Sequence, residues 1–262
     1  MAFNFVTDKV DVSVNGRVAT VKMNRPKALN ALDKEMIRGL VGSLKEISES
    51  DGIDILVLTG TDEAFSAGGD IKSMLEMKDE QEFFSIMDCI NELVITLYCL
   101  PAITISAISG PAAGLGFSIA LATDYILVKD DAKLAMNFIG IGLIPDGGAH
   151  FFLAKMVGES RAKQLIWEGR TLSAREALEN GLIHEVAADM EAALAEKIGG
   201  YLGKPVQAMI KTKKIFSELN RPKLLKVLEV EKYAQRKMLE TEDHKEGIRA
   251  FVEKRPPRFT GR

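Results

Sequence analysis

The sequence predicts an α/β fold that ends in an all-helical region. Two observations support this class. Short runs of branched apolar residues alternate with helical periodicity over the first half of the chain, and strand patterns nearly vanish after Gly147. The length of 262 residues fits one large domain, or one domain with a small appendage. We place the boundary so that residues 1–190 form the core and residues 191–262 form the helical region.

The first element is predicted to be a β-hairpin. Residues 10–14 and 17–23 alternate apolar and polar side chains, as strands with one buried face do. Between them stands Asn15-Gly16, a dipeptide that suits a two-residue hairpin turn. The chain therefore opens with two antiparallel strands.

Helices and buried strands follow in alternation. Asp33 occupies an N-cap position before a run of helical periodicity, which predicts a helix ending near Ser50. The segments 53–60 and 103–108 are short and rich in branched apolar residues, as buried strands are, and a helix ends near Leu100 between them.

The remaining elements are shorter in the middle of the chain and helical toward its end. Residues 116–123 predict an apolar helix, and residues 125–128 and 133–136 predict two short strands separated by turn-forming residues. The later segments predict consecutive helices over residues 147–157, 159–168, 173–180, 190–202, 205–219, 223–241 and 243–254.

Composition narrows the possible functions. The net charge of −3 provides no field that would attract nucleic acid, so no nucleic-acid partner is expected. No run of about 18 apolar residues and no signal-like N-terminus occurs, so we expect a cytoplasmic protein without a membrane partner. The two cysteines and three histidines lie without metal-ligand spacing, and no metal site is expected.

Two glycine-rich turns are the first candidates for chemistry. Residues 64–71 and 109–116 each follow a predicted strand and lead into a helical pattern. Glycines let a ligand come close to the backbone, and the NH groups at a helix N-terminus are free donors. Two such donors converging on one point would form an oxyanion hole. The alternative is that each segment is an ordinary glycine-rich turn.

Five segments, in order along nearly the whole chain, resemble those of the crotonase, or enoyl-CoA hydratase/isomerase, superfamily. They are NRPKALNAL at 24–32, FSAGGDI at 65–71, GPAAGLG at 110–116, GLIPDGG at 142–148 and AFVEKR at 250–255. The set is specific to the superfamily but not to one reaction within it. The resemblance implies a crotonase-like spiral of ββα units, followed by a C-terminal helical trimerisation region. It also implies a homo-oligomer, either a trimer or a dimer of trimers.

The resemblance further implies an acyl-CoA substrate and a set of site residues. The backbone NH groups of Gly69 and Leu115 would form the oxyanion hole around the thioester carbonyl. The implied substrate-binding and CoA-binding residues are Lys27, Ala28, Leu29, Ala67, Ile71, Gly114 and Phe138, together with Phe251 and Lys254, which would reach a neighbouring subunit's nucleotide. Coenzyme A enters as part of the substrate, so no separate cofactor is expected.

Departures from the family pattern favour one reaction over another. Members that hydrate 2-enoyl thioesters use two glutamates, and motif alignment places Ser118 and Phe138 at those positions. A phenyl ring can neither activate water nor deliver a proton. Asp146 stands where several isomerases of the superfamily place their single acid. A nearby Phe138 would exclude water and raise the pKa of that carboxyl group.

The sequence therefore predicts an acyl-CoA isomerase that uses Asp146 as its base. The reaction would convert 3-enoyl-CoA to 2-enoyl-CoA, or be a related rearrangement such as isomerisation of a ring epoxide. Two alternatives stay open for the protein: a hydratase that has replaced its glutamates, and a non-catalytic acyl-CoA-binding subunit. A second role also stays open for Asp146, because it could be the N-cap of a helix that follows it. Asp70 is itself expected to cap a helix.

One apolar group has two possible roles. These apolar residues, between positions 74 and 87, would ordinarily belong to the core. In the crotonase superfamily, however, this region often lines the acyl tunnel. The residues are Met74, Leu75, Met77, Phe83, Phe84, Ile86 and Met87.

Overall fold

The computed structural model describes residues 7–76 and 79–262, which fold into two sheets surrounded by helices. The strands, in chain order, are β1 (Val10–Asn15), β2 (Val18–Met23), β3 (Ile55–Thr59), β4 (Ile103–Ile108), β5 (Ala112–Ala113), β6 (Tyr125–Lys129), β7 (Lys133–Ala135), β8 (Thr171–Ser173) and β9 (Glu185–Ala187). The predicted hairpin and both predicted buried strands are confirmed.

The larger sheet has six strands in the order β1-β2-β3-β4-β6-β9. The β1–β2 pair is antiparallel, and every later pair in this sheet is parallel. The smaller sheet has the order β5-β7-β8. Because β3 and β4 are parallel neighbours, the loops that follow them leave the same edge of the sheet.

Helices cover both faces of the larger sheet. They are α1 (Lys34–Ser48), α2 (Ile71–Leu75), α3 (Glu80–Cys99), α4 (Leu115–Leu121), α5 (Ala149–Val157), α6 (Glu159–Glu168), α7 (Ala174–Glu179), α8 (Met190–Leu202), α9 (Val206–Met238) and α10 (Glu242–Glu253). Asp33 caps α1 as predicted, accepting a hydrogen bond from the Met36 NH group.

The core is divided by the alternation of side chains along β3. Leu56 and Leu58 pack into the larger apolar cluster, which also holds the buried faces of α1 and α3. Ile55 and Val57 point to the opposite face, where Val206 and its neighbours on α8 and α9 cover them. Such two-sided burial is typical of a strand in the middle of a parallel sheet.

The prediction of two separate helices over residues 205–219 and 223–241 is wrong. A single helix, α9, runs through Pro222. The ring of Pro222 removes the NH donor that would bond to the carbonyl of Glu218, but the side chain is exposed and meets no core residue. Buried Ile210 before the proline and buried Leu224 after it keep both halves packed on the molecule.

Three short strands were also absent from the prediction. β5 has two residues, and β8 and β9 have three each, which is too short for an alternating pattern to emerge. β8 and β9 join the sheets at their edges, beside β7 and β6. Their pairing partners lie well before them in sequence.

Replacing Pro222 with alanine tests the account of α9. The substitution restores the missing backbone donor without altering a packed side chain, so Pro222→Ala should raise the free energy of unfolding by about 2 kcal/mol. Chemical denaturation measures this change. Lys223→Ala, at the exposed neighbouring position, is the control and should change stability little. Equal effects of the two substitutions would show that Pro222 does not destabilise α9.

Candidate active site

The two glycine-rich turns lie side by side at the edge of the larger sheet. A parallel bridge pairs Ser66 with Ala112, and the Ala113 NH group donates to the Ser66 carbonyl at 2.9 Å. The NH groups of Phe65 and Ser66 both donate to the Pro111 carbonyl at 3.1 Å. The segments predicted from separate motifs therefore form one bonded unit.

Glycine is required at two positions of this unit. Gly68 has φ 95°, and a Cβ atom added there would stand 2.7 Å from the Ala113 carbonyl oxygen. Gly114 has φ 50° and ψ −127°, a region that residues with a side chain rarely adopt. Larger residues would move the amides of Gly69 and Leu115 that follow them.

The amides of Gly69 and Leu115 are available to a ligand. Leu115 is the first residue of α4, so its NH group has no helical acceptor. Within the described residues, neither this NH group nor that of Gly69 donates a hydrogen bond. Both residues line one cavity of about 270 Å³. The arrangement can accept an oxygen atom that carries negative charge.

The loop at residues 24–30 is fixed against the first turn by a buried asparagine. The Asn30 side chain donates to the Ala64 carbonyl at 2.7 Å and accepts from the Arg25 NH group at 2.7 Å. The Ser66 hydroxyl donates to the Asn30 carbonyl at 2.8 Å and accepts from the Gly68 NH group at 3.1 Å. The motif at 24–32 thereby supports the glycine turn.

This loop places Lys27, Ala28 and Leu29 beside the cavity rather than in its lining. Lys27 and Ala28 belong to the 3-10 helix Pro26–Ala28, and the Leu29 carbonyl accepts from the Ala67 NH group at 2.8 Å. Ala67, by contrast, lines the cavity. The three residues therefore form an outer rim that continues from Ala67.

The cavity brings together most of the remaining predicted site residues. Those in its lining are Gly69, Leu115, Asp146, Ala67, Ile71, Gly114, Phe138 and Phe251. Lys254 does not line it and lies at the C-terminal cap of α10, exposed to solvent. Phe251 is also 58% exposed, so both α10 residues have surface available to a partner.

Asp146 is buried in the cavity wall with one oxygen unpaired. Its Oδ2 accepts a hydrogen bond from the Gln235 side chain at 3.3 Å, while Oδ1 has no hydrogen-bond partner within the described structure. The residue is next to Gly147, whose backbone is so close to α4 that a Cβ atom there would stand 2.7 Å from the Leu115 side chain. The loop that carries Asp146 thus packs against the start of α4, and Asp146 lines the same cavity as Gly114 and Leu115.

The helix-cap alternative for Asp146 does not match the structure. Helix α5 begins at Ala149, and its N-cap makes no side-chain hydrogen bond of its own. Glu231, from the middle of α9, instead accepts from the NH groups of Gly148 at 2.7 Å and His150 at 3.2 Å. Glu231 also bonds His150 Nδ1 at 2.7 Å. A distant carboxylate satisfies the helix end and leaves Asp146 free.

Burial is the main cause, and the nearby negative charge of Glu231 the second, of a pKa of Asp146 that is raised to about 7. The hydrogen bond from Gln235 and the charge of His150 oppose the shift. A carboxyl group with such a pKa can both take and release a proton near neutral pH.

The two other aspartates of the cavity lining are already committed to structure. Asp33 caps α1 and pairs with Lys9 at 2.7 Å. Asp70 caps α2, as the sequence predicted, and accepts a hydrogen bond from Arg25 at 2.6 Å. Among the aspartates of the described cavity, Asp146 alone has an oxygen free to react.

Ser118 and Phe138 contact the glycine-rich turn at 109–116 without supplying an acid. The fully buried Ser118 hydroxyl donates to the Gly114 carbonyl at 3.3 Å. The Phe138 ring lies against Gly114, where a Cβ atom would stand 3.7 Å from its Cζ atom. Phe138 therefore adds apolar surface to the cavity that Asp146 also lines.

The apolar group on α2 and the start of α3 contributes to the lining of the cavity. Met74, Phe83, Ile86 and Met87 line it, so these members combine core and pocket roles. Leu75 is exposed, and Met77 lies outside the described residues. The lining also includes Gln235 of α9 and Leu239 at the C-cap of that helix, which sequence reasoning did not identify.

In residues 7–76 and 79–262, no cluster of three or more histidine, cysteine, aspartate or glutamate side chains could hold a metal ion. No helix of the described chain has the length and apolar character needed to cross a membrane.

Known proteins are similar in sequence to this chain over most of its length. Residues 13–262 match the family model described as enoyl-CoA hydratase/isomerase. YhaR of Bacillus subtilis (strain 168), which carries an enoyl-CoA hydratase/isomerase name, is 46% identical over 251 residues, covering 95% of this chain and 98% of that protein. The 1,2-epoxyphenylacetyl-CoA isomerase of Escherichia coli (strain K12) is 34% identical, covering 94% of this chain and 95% of that protein.

A solved structure confirms the predicted fold class. The crystal structure of an enoyl-CoA hydratase from Mycobacterium avium subsp. paratuberculosis K-10 superposes with a TM-score of 0.88 at 33% identity. The match covers 97% of this chain and 100% of that chain. The crotonase-like α/β fold with its C-terminal helices is thereby established.

The raised pKa of Asp146 predicts a pH dependence of stability. Its pKa of about 7 in the folded protein exceeds the value of 3.8 for a free carboxyl group, so the folded state holds the proton more tightly. The contribution of protonated Asp146 to stability should therefore be lost as pH rises from about 4 to about 7. Asp146→Asn removes this loss and should raise the free energy of unfolding at pH 8 by up to about 4 kcal/mol, with little change at pH 4.

Denaturation of both proteins from pH 4 to pH 8 measures the difference. Titrating groups that do not interact with Asp146 are shared by the two proteins and cancel in the comparison. Parallel pH profiles for the two proteins would contradict the assignment of a raised pKa to Asp146.

Proposed function

This chain belongs to the enoyl-CoA hydratase/isomerase family, and we propose that it isomerises acyl-CoA thioesters. The reaction moves a double bond from position 3 to position 2, or performs a related rearrangement. The observation that carries the proposal is the free Oδ1 of buried Asp146, beside two glycine turns with available amides.

The turns would activate the thioester. Its carbonyl oxygen accepts hydrogen bonds from the amides of Gly69 and Leu115, which stabilise the negative charge that develops when a proton leaves C2. Backbone donors held by the 66–112 bridge need little reorganisation. The two amides would therefore stabilise the enolate more than the neutral thioester.

Asp146 would carry the proton. Its carboxylate removes a proton from C2, the electrons of the C–H bond pass into the conjugated system, and a dienolate forms. The same carboxyl group then returns the proton to C4, which restores the carbonyl and leaves the double bond between C2 and C3. One acid–base group is sufficient because Asp146 takes up a proton in the first step and releases it in the second.

The surroundings of Asp146 favour isomerisation over hydration. Hydration needs a group that activates water in addition to a proton donor. Asp33 and Asp70 are engaged in caps and ion pairs, and Phe138 covers the cavity wall with a ring. The named activity of the related Escherichia coli protein, 1,2-epoxyphenylacetyl-CoA isomerase, supports the wider class of rearrangements.

The rim residues and α10 would bind the coenzyme. We propose that Lys27, Ala28, Leu29, Ala67 and Ile71 border the CoA moiety, and that Phe251 and Lys254 reach the nucleotide of a neighbouring subunit. Large apolar side chains on α9 support assembly into a trimer or a dimer of trimers, because Ile215, Phe216 and Leu219 are 57–74% exposed. The cytoplasmic location stays a prediction from sequence.

A small acyl-CoA panel tests the proposed reaction. Wild-type protein should convert a 3-enoyl-CoA to the 2-enoyl-CoA isomer, with kcat/KM rising with pH to a half-maximal point near 7 because the base must be ionised. Asp146→Asn should lower kcat by about 10³-fold. Chromatography separates the isomers, and mass spectrometry detects any added water.

The control for this test is Asp130→Asn, which removes an exposed carboxylate and should leave kcat unchanged. Addition of water to crotonyl-CoA without isomerisation would support the hydratase alternative. Tight binding of thioesters without turnover would support the binding-subunit alternative.

Replacing Gly114 with alanine tests the oxyanion turn. The added Cβ atom makes the backbone conformation at this position unfavourable, so the Leu115 amide moves away from the carbonyl. Gly114→Ala should lower kcat/KM by about 10²-fold. Gly199→Ala is the matched control, since a Cβ atom there meets no atom within 4 Å. Equal activity of the two variants would rule out the assigned role of the turn.

A further inference from the structure

Gln235 connects the long helix α9 to the loop that carries Asp146. The side chain is 3% exposed and lines the cavity. Its Nε2 donates to Asp146 Oδ2 at 3.3 Å, and its Oε1 accepts from the Ile144 NH group at 3.2 Å. One amide therefore bonds both the backbone and the carboxyl group of the same short loop.

These two bonds define the orientation of the amide. The Ile144 NH group can only donate, so the amide oxygen must face it and the amide NH₂ group must face Asp146. An amide NH₂ group bonds best to a carboxyl oxygen that carries no proton. Oδ2 is thus kept as an acceptor, and the proton is directed to Oδ1.

We propose that Gln235 is a positioning residue that makes Oδ1 the oxygen of Asp146 that takes up and returns the proton. The inference rests on the proposed isomerase function. The proposal gives α9 two functions at the site. Glu231 accepts hydrogen bonds from the start of α5, so Asp146 is not needed as the cap of that helix. Gln235 selects the oxygen of Asp146 that reacts.

The charged groups around Asp146 give the direction of the effect. Glu231 on α9 and His150 on α5 face the carboxyl group, and they bond each other at 2.7 Å. The Gln235 hydrogen bond lowers the Asp146 pKa against the effects of burial and of Glu231. Loss of the amide should therefore raise this pKa and leave the carboxyl group free to rotate.

The variant Gln235→Leu, with Gln207→Leu as its control, tests the proposal kinetically. Gln207 is on the same helix and also donates to a buried carboxylate, Asp54, at 2.6 Å, but it is outside the cavity lining. Gln235→Leu should lower kcat by about 10-fold with KM nearly unchanged and move the pH midpoint of kcat/KM upward by about half a unit or more. Gln207→Leu should change neither value.

A spectroscopic measurement on the wild-type protein covers the case in which Gln235→Leu does not fold. The side-chain amide resonances of Gln235 in a ¹⁵N-labelled protein should shift with the ionisation of Asp146 and lose that transition in Asp146→Asn. Gln207 resonances should show no such transition.

The outcomes separate this inference from the proposed function. If Gln235 resonances follow Asp146 but no isomer forms from any thioester, the positioning contact holds and the reaction is wrong. If isomerisation depends on Asp146 while the Gln235 resonances ignore its titration, or the variant keeps the wild-type pH midpoint, the positioning role is overturned.

Discussion

The carboxylate of Glu231 meets the first turn of α5 in the interior of the protein, where it accepts hydrogen bonds from two backbone NH groups. Buried donors at a helix start need an acceptor, and an aspartate just before the helix is the usual one. Because α9 supplies that acceptor, Asp146 is released from the cap and keeps an unpaired oxygen in the cavity. The free carboxyl group thus depends on a contact between residues 83 and 81 positions apart in the sequence, which are Glu231 and its two partners Gly148 and His150.

The site joins two parts with different physical origins. The two glycine-rich turns depend on backbone geometry, since Gly68 and Gly114 adopt conformations that exclude most side chains and the bridge between Ser66 and Ala112 joins the turns. The acid depends on burial, because desolvation is the largest cause of its raised pKa. Parallel pairing of β3 and β4 brings the turns together, and the helical region closes the cavity from the other side. Chemistry of this kind needs both the sheet edge and α9.

Sequence patterns predicted the parts that depend on local physics. The Asn15-Gly16 hairpin, the buried strand at 103–108 and the Asp33 cap all rest on neighbouring residues, and each was confirmed. The continuous helix through Pro222 could not be predicted, because packing of distant residues outweighs a local helix breaker. The roles of Glu231 and Gln235 were missed for the same reason. A signal did exist: both fall on the buried stripe that Leu224 and Leu228 begin, and polar residues on such a stripe need partners.

Proton transfer within a single substrate molecule is the most direct test of the account. A 3-enoyl-CoA that carries deuterium at C2 can be converted in ordinary water, and the product examined by mass spectrometry and NMR. One carboxyl group in an apolar cavity should carry part of the label from C2 to C4 before solvent exchanges it. A product with an added water molecule, or a 2-enoyl-CoA with no deuterium at C4, would contradict the assignment of Asp146 as a single shielded base.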